Sequence, residues 1–218
     1  VSPTIASGVK IVSGSQLSMA ALKDDGSVVT WGSSDSGGDS SSVSSSLTSG
    51  VKKVYSEYSV FAALKDDGSV VTWGNTSKGG NSSSVSSGLA SGVIEISGNN
   101  TSLVALKSDG SVIAWGDSSL GGSLTSPVNV ASAVASGVTK IYSGASAYAA
   151  QKDNGSAVTW GNYSYGGDSS SVSSSLTYGV IKIYINELGA AAALKSDGSV
   201  VTWGNTSNGG NSSSVSPS

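Results

Sequence analysis

One phrase recurs five times along this chain. Leu22-Lys-Asp-Asp-Gly-Ser-Val-Val-Thr-Trp31-Gly32 is followed by close copies at Leu64 to Gly74, Leu106 to Gly116, Gln151 to Gly161 and Leu194 to Gly204. The tryptophans that close the copies, Trp31, Trp73, Trp115, Trp160 and Trp203, lie 42, 42, 45 and 43 residues apart. A period of that length suits a unit of four short strands. It divides one domain, 1–218, into repeats 7–48, 49–90, 91–135, 136–177 and 178–218, with 1–6 left as a closing strand segment.

Within one unit, Val51 to Tyr55 is rich in β-branched and aromatic residues and reads as strand A, and Val60 to Leu64 reads as strand B. Between strand B and strand C (Ser69 to Trp73) lies Lys65-Asp66-Asp67-Gly68, where Asp-Gly supplies the positive φ of a tight hairpin. After the Gly74 to Gly80 break, Ser82 to Ser86 predicts a weak, solvated strand D. No segment has helical periodicity.

A four-stranded sheet of this length cannot bury both faces alone, so successive units must stack, as propeller blades or as a solenoid. The small side chains of strand B (Ala62-Ala63, Ala149-Ala150, Ala190 to Ala193) permit close approach of sheets near a crowded axis. They favour an all-β, closed propeller of five four-stranded blades. The alternatives are an open array and a part of a larger propeller or solenoid. Val1 to Thr4 and Val215 to Ser218 both align with Val43 to Ser46, giving six copies of segment D for five A-B-C trios. Either end would then complete a ring beside the other.

The pattern Ser-Gly-Val-x-x-Ile/Val, polar loop, Ala-Leu-Lys-x-Asp-Gly-Ser-Val-Val-Thr-Trp-Gly, loop, Gly-Gly resembles the RCC1-like repeat across all five units. It is most similar to the short-repeat bacterial branch, which includes a secreted seven-bladed β-lactamase inhibitor. The resemblance implies a β-propeller that acts through protein contacts without catalysis. Two departures stand out. The family's propellers usually have seven blades, and its Gly-Gln-Leu-Gly is replaced here by Gly37-Gly38-Asp39, Gly79-Gly80-Asn81 and their counterparts. The positions used by eukaryotic relatives for nucleotide exchange or chromatin contact have no match in this chain.

Composition narrows the chemistry. There is no histidine and no cysteine, all eleven basic residues are lysine, and the net charge is −3. Imidazole and thiol catalysis, N/S zinc sites and disulfides are therefore excluded. A pI near 4.7 is unsuited to neutralising phosphates, so nucleic acid is not an expected partner. No apolar run approaches the length of a membrane span, and the start Val1-Ser2-Pro3-Thr4 has no signal-peptide pattern. The calcium-binding nonapeptide and EF-hand patterns are also missing. No cofactor or metal is expected, and Glu57, Glu95 and Glu187 fall in different units, so the chain is read as a non-enzyme.

Candidate function then rests on loops. The B–C turns barely vary, which reflects turn chemistry, whereas the A–B and C–D loops change from unit to unit on one rim. The candidate binding residues are Gln16, Glu57, Tyr58, Asn99, Asn100 and Glu187 in A–B loops, and Asp35, Lys78, Leu120, Tyr163 and Tyr165 in C–D loops. The repeated tryptophans are assigned to the core between blades. The expected function is a binding or adhesion module, extracellular or at a cell surface, that presents this rim to a protein or surface polysaccharide by multivalent contact. A lectin and a structural spacer or filament subunit, self-associating or joined to neighbouring repeats, are the alternatives.

Overall fold

Each copy of the phrase folds into an antiparallel hairpin flanked by one more strand. A computed structural model describes residues 5–215. It contains five three-stranded sheets, in order β1 (Val9–Gly14), β2 (Ser18–Lys23), β3 (Val28–Gly32); β4 (Val51–Glu57), β5 (Val60–Lys65), β6 (Val70–Gly74); β7 (Val93–Gly98), β8 (Ser102–Lys107), β9 (Val112–Gly116); β10 (Val138–Ser143), β11 (Ala147–Lys152), β12 (Ala157–Gly161); and β13 (Val180–Ile185), β14 (Ala190–Lys195), β15 (Val200–Gly204). The strand order in every sheet is sequential. The first and second strands share one register slip in all five units, between Val51 and Lys53 in the second.

Among the described residues the expected fourth strand is not formed. Segment D is 3-10 helical instead, over Ser41–Leu47, Ser83–Val85 and Ser170–Leu176. Serine carries no β-branch to favour the pleat and readily bonds to nearby backbone. The residue that starts the segment sets the turn: Asp39, Asn81, Asp168 and Asn211 each accept the amide N–H two residues on through Oδ1, at 2.8 to 3.0 Å. The segment sends apolar side chains inward in each of the first four units: Leu47, Leu89, Val130 with Val134, and Leu176. Its serines bond to the third strand of the sheet, as in the Thr72 Oγ1 to Ser82 Oγ bond of 2.9 Å.

The constant turn does two jobs. Asp67 Oδ1 accepts from Ser69 N–H at 2.9 Å and Ser69 Oγ at 2.7 Å, and the same pair of bonds recurs at Asp25, Asp109 and Asp197, holding these carboxyls below the usual aspartate range. Gly68 sits at φ +77°, and a Cβ there would lie 2.7 Å from Gly92 N of the next unit. Its carbonyl accepts from Val93 N–H at 3.0 Å, and the first four turns are docked in this way onto the first strand of the following sheet. The conserved-in-register lysine adds a strut, with Lys65 Nζ donating to Ser46 O at 3.0 Å and Lys107 Nζ to Gly88 O at 3.1 Å.

Four apolar cores fill the four spaces between consecutive sheets. Between the first and second, Ala20, Leu22 and Val28 of one sheet meet Val51, Val54, Phe61, Ala63 and Trp73 of the next. Phe61 stacks on Trp73 at 5.3 Å, and the Trp73 indole donates to Gly37 O at 3.0 Å. That bond recurs from Trp115 to Gly79, Trp160 to Gly121 and Trp203 to Gly166. The alanines lie on the central strand, covered on both sides, while neighbouring first strands approach one another, which places the first strand and not the alanine-rich one innermost.

The ends of the array are not covered by each other. Trp31 is 37% exposed where Trp73, Trp115 and Trp203 are each 2% exposed. Among the described residues, the five units therefore do not close into a five-bladed ring. The proposed ring-completing segments, Val1 to Thr4 and residues 216–218, lie outside the described residues.

Candidate functional site

Because the first strands are innermost, the loops that leave them converge. Those of the second to fifth units surround a cavity of about 490 Å³, lined by Glu57 and Tyr58, Asn99 and Asn100, Ser143 to Ala145, and Glu187 and Leu188. The C–D loops form an outer ring on the same rim and touch the inner loops of their own units. Asn99 Nδ2 donates to Leu120 O at 2.8 Å, Asn186 Nδ2 to Asn208 O at 3.1 Å, and Lys78 Nζ lies 4.5 Å from the centre of the Tyr58 ring.

Glu57 is the unusual side chain of this mouth. It is half-buried and reaches across to the loop of the next unit, where a Cβ on Gly98 would sit 2.3 Å from its Cγ. Glycine at 98 is what gives the carboxyl its place. Burial pushes that carboxyl up to about 7, so near neutral pH it can donate as well as accept a hydrogen bond. Beneath it, the buried Tyr148 hydroxyl donates to Ser102 O at 2.7 Å; burial, with a smaller contribution from the Glu57 charge, raises its pKa above the ordinary tyrosine range.

Asn99 works inside the protein. It is buried, and its Oδ1 accepts from Thr101 N–H, Ser102 N–H and Ser102 Oγ at 2.8 to 2.9 Å. Its polar atoms are occupied in shaping the loop, which leaves the exposed Asn100 to face outward.

The structure thus brings together Glu57, Tyr58, Asn99, Asn100 and Glu187, and it leaves six sequence candidates outside the mouth. Gln16 is exposed and bonds through its N–H to Tyr58 O at 3.0 Å. Asp35 is exposed on the short 3-10 turn Ser34–Ser36. Lys78 stacks on Tyr58 and Leu120 offers only its carbonyl to Asn99 and Ser102. Tyr163 donates to Pro127 O at 2.9 Å, and Tyr165 lies against Gly189. Gly98, Ser143 to Ala145 and Leu188 also line the mouth but were not among the candidates; their common signal is register, since each occupies or borders the position that Glu57 and Tyr58 hold in the second unit.

Among the described residues, no group of three His, Cys, Asp or Glu side chains is placed to hold a metal ion, and no helix is long and apolar enough to cross a membrane. No protein-family model and no curated protein matches the sequence. Solved structures do. Prp20p from Saccharomyces cerevisiae, whose structure was described with its binding to Gsp1p and histones, superimposes with a TM-score of 0.55 at 17% identity, over 93% of this chain and 58% of that one. Yeast RCC1 (Prp20) bound to Kap60 gives 0.54 at 16% identity, over 93% and 57%. The fold is that of an RCC1-like β-propeller. The ectodomain of the receptor kinase CR4 from Physcomitrella patens gives 0.53 at 16% identity, over 93% and 54%. This RCC1-like array spans less than two thirds of the length of each of these chains.

Proposed function

We propose that this RCC1-like array is a non-enzymatic binding module, extracellular or at a cell surface, whose axial mouth receives a protein or surface-polymer partner. The observation that carries the reading is the convergence of loops from four units, each with a different sequence, on one cavity built over an otherwise repeated scaffold. Prp20p, with the same fold, was described with protein partners, which supports protein contact as the mode of action. The chemistry of the mouth suits a partner side chain that carries both apolar surface and hydrogen-bonding groups: Leu188 and Ala145 give the first, and Glu57, Asn100 and Glu187 the second. The acidic, serine-rich surface and the likeness to the bacterial branch support placement outside the cell.

The test is capture from the native environment with three baits. Wild type and a Tyr163→Ser, Tyr165→Ser variant are expected to recover the same partner, and a Glu57→Gln, Asn100→Ala, Glu187→Ala variant is expected to lose it. Equal recovery by all three would remove the mouth as the site.

One observation favours a second reading. Glu57 and Glu187 line the same cavity, and glycoside hydrolysis uses two carboxyl groups of which one is raised. Release of sugar from an oligosaccharide panel that is abolished by Glu57→Gln would replace the binding module with a hydrolase.

A further inference from the structure

The two ends of the array carry the two halves of an interface that the chain already makes four times. At each internal junction the later sheet contributes an apolar face, an indole N–H and a first-strand amide; the earlier sheet contributes its own apolar face, the carbonyl of the first Gly in Gly-Gly and the carbonyl of the turn glycine. In the junction between the first two units these are Trp73 Nε1 to Gly37 O and Val51 N to Gly26 O, both at 3.0 Å.

At the head, the first unit holds the later-sheet half uncovered. Val9, Val12, Met19 and Trp31 are 37%, 55%, 41% and 37% exposed, whereas their counterparts Val51, Val54, Phe61 and Trp73 are 5%, 8%, 0% and 2% exposed. Ile5, at the register of the buried Leu47, is only half-buried.

At the tail, the fifth unit holds the earlier-sheet half equally bare. Val200 is 56% exposed against 8% for Val28. Gly209 is exposed, while Gly37, Gly79, Gly121 and Gly166, which accept the indoles, are buried. A Cβ built on Gly198 would meet nothing within 4 Å, whereas on Gly26, Gly68, Gly110 and Gly155 it would meet the next unit's glycine backbone at 2.7 to 3.0 Å.

We infer that a second copy of this chain docks head to tail, its first unit packing on the fifth unit of the copy before it. The Trp31 indole would donate to Gly209 O and the Val9 N–H to Gly198 O across the joint, continuing the internal junction. Among the described residues a single chain does not join its two end sheets, and every further copy brings both halves of the junction. A net charge of only −3 opposes association weakly. Such a contact is heterologous, so each joint leaves one head and one tail free and the assembly grows until its curvature closes it. The inference does not depend on what the axial mouth binds.

Sedimentation across a dilution series tests it, with two variants at positions exposed in the single chain, Val12→Lys at the head and Val200→Lys at the tail, each checked for wild-type circular dichroism. Wild type should rise with concentration in steps of its 21.3 kDa mass. Each variant alone should stay monomeric where wild type is assembled, and an equimolar mixture of the two should stop at a dimer, since only one head and one tail remain competent. Wild type that is monomeric throughout the soluble range, including a monomer whose Trp31 is shielded by closure on itself, would overturn the inference. So would oligomers that persist in either variant.

Discussion

Glu57 is a residue whose ionisation is set by its burial beside the loop of the next unit. Its carboxyl is held up to about 7 against an ordinary 4.5, with burial as the cause, so the folded protein binds a proton that the unfolded chain releases in that window. Stability is therefore highest below pH 4.5 with respect to this group and falls as pH rises towards 7. Discounted for partial exposure, the loss is about 1–2 kcal/mol. Urea denaturation of wild type and Glu57→Gln at pH 5 and pH 8 should show the decline in wild type and a smaller one in the variant. Gly98→Ala acts on the same side chain from across the joint. Its Cβ would drive Glu57 off the neighbouring loop and towards solvent, and the carboxyl, followed by carbon-detected NMR titration, should drop back towards 4.5. Asn99→Ala should cost about 2–3 kcal/mol, because it strands the buried donors of Ser102 and the half-buried N–H of Thr101.

At the scale of the element, the hairpin was readable and the last segment was not. Asp-Gly-Ser between two β-branched runs encodes its turn locally, and β5 and β6 pair Leu64 with Val70 around it. Strand D failed as a reading because an extended and a 3-10 serine run look alike in composition; the distinguishing signal was the Asp or Asn at its start, whose Oδ1 takes the amide two residues on. The tryptophan positions show the same limit in another form. Five equivalent residues in the repeat are not equivalent in the fold, since Trp31 has no sheet before it. Trp73→Ala should cost about 3–5 kcal/mol, as for other buried aromatics. Trp31→Ala in dilute solution should cost about 1 kcal/mol or less. Thermal unfolding of the two variants checks the contrast.

For the whole molecule, the period in the sequence specified sheets stacked side by side, and stacked sheets with this fold are what the structure contains. Blade closure was beyond the repeat, because a unit's sequence carries both halves of the junction whether or not a neighbour is present to meet them. The mouth was half legible for a related reason. Variable loops could be assigned to one rim from strand alternation, but which of them meet at the axis depends on the first strand being innermost, and that follows from packing between units. Among the described residues, five units make four complete interfaces and leave a head and a tail open. Acrylamide quenching of tryptophan emission in dilute protein measures this asymmetry directly. One readily quenched component is expected among the five tryptophans, which disappears in Trp31→Phe and persists in Trp73→Phe. Five equally shielded tryptophans, or an accessible component that survives Trp31→Phe, would contradict it.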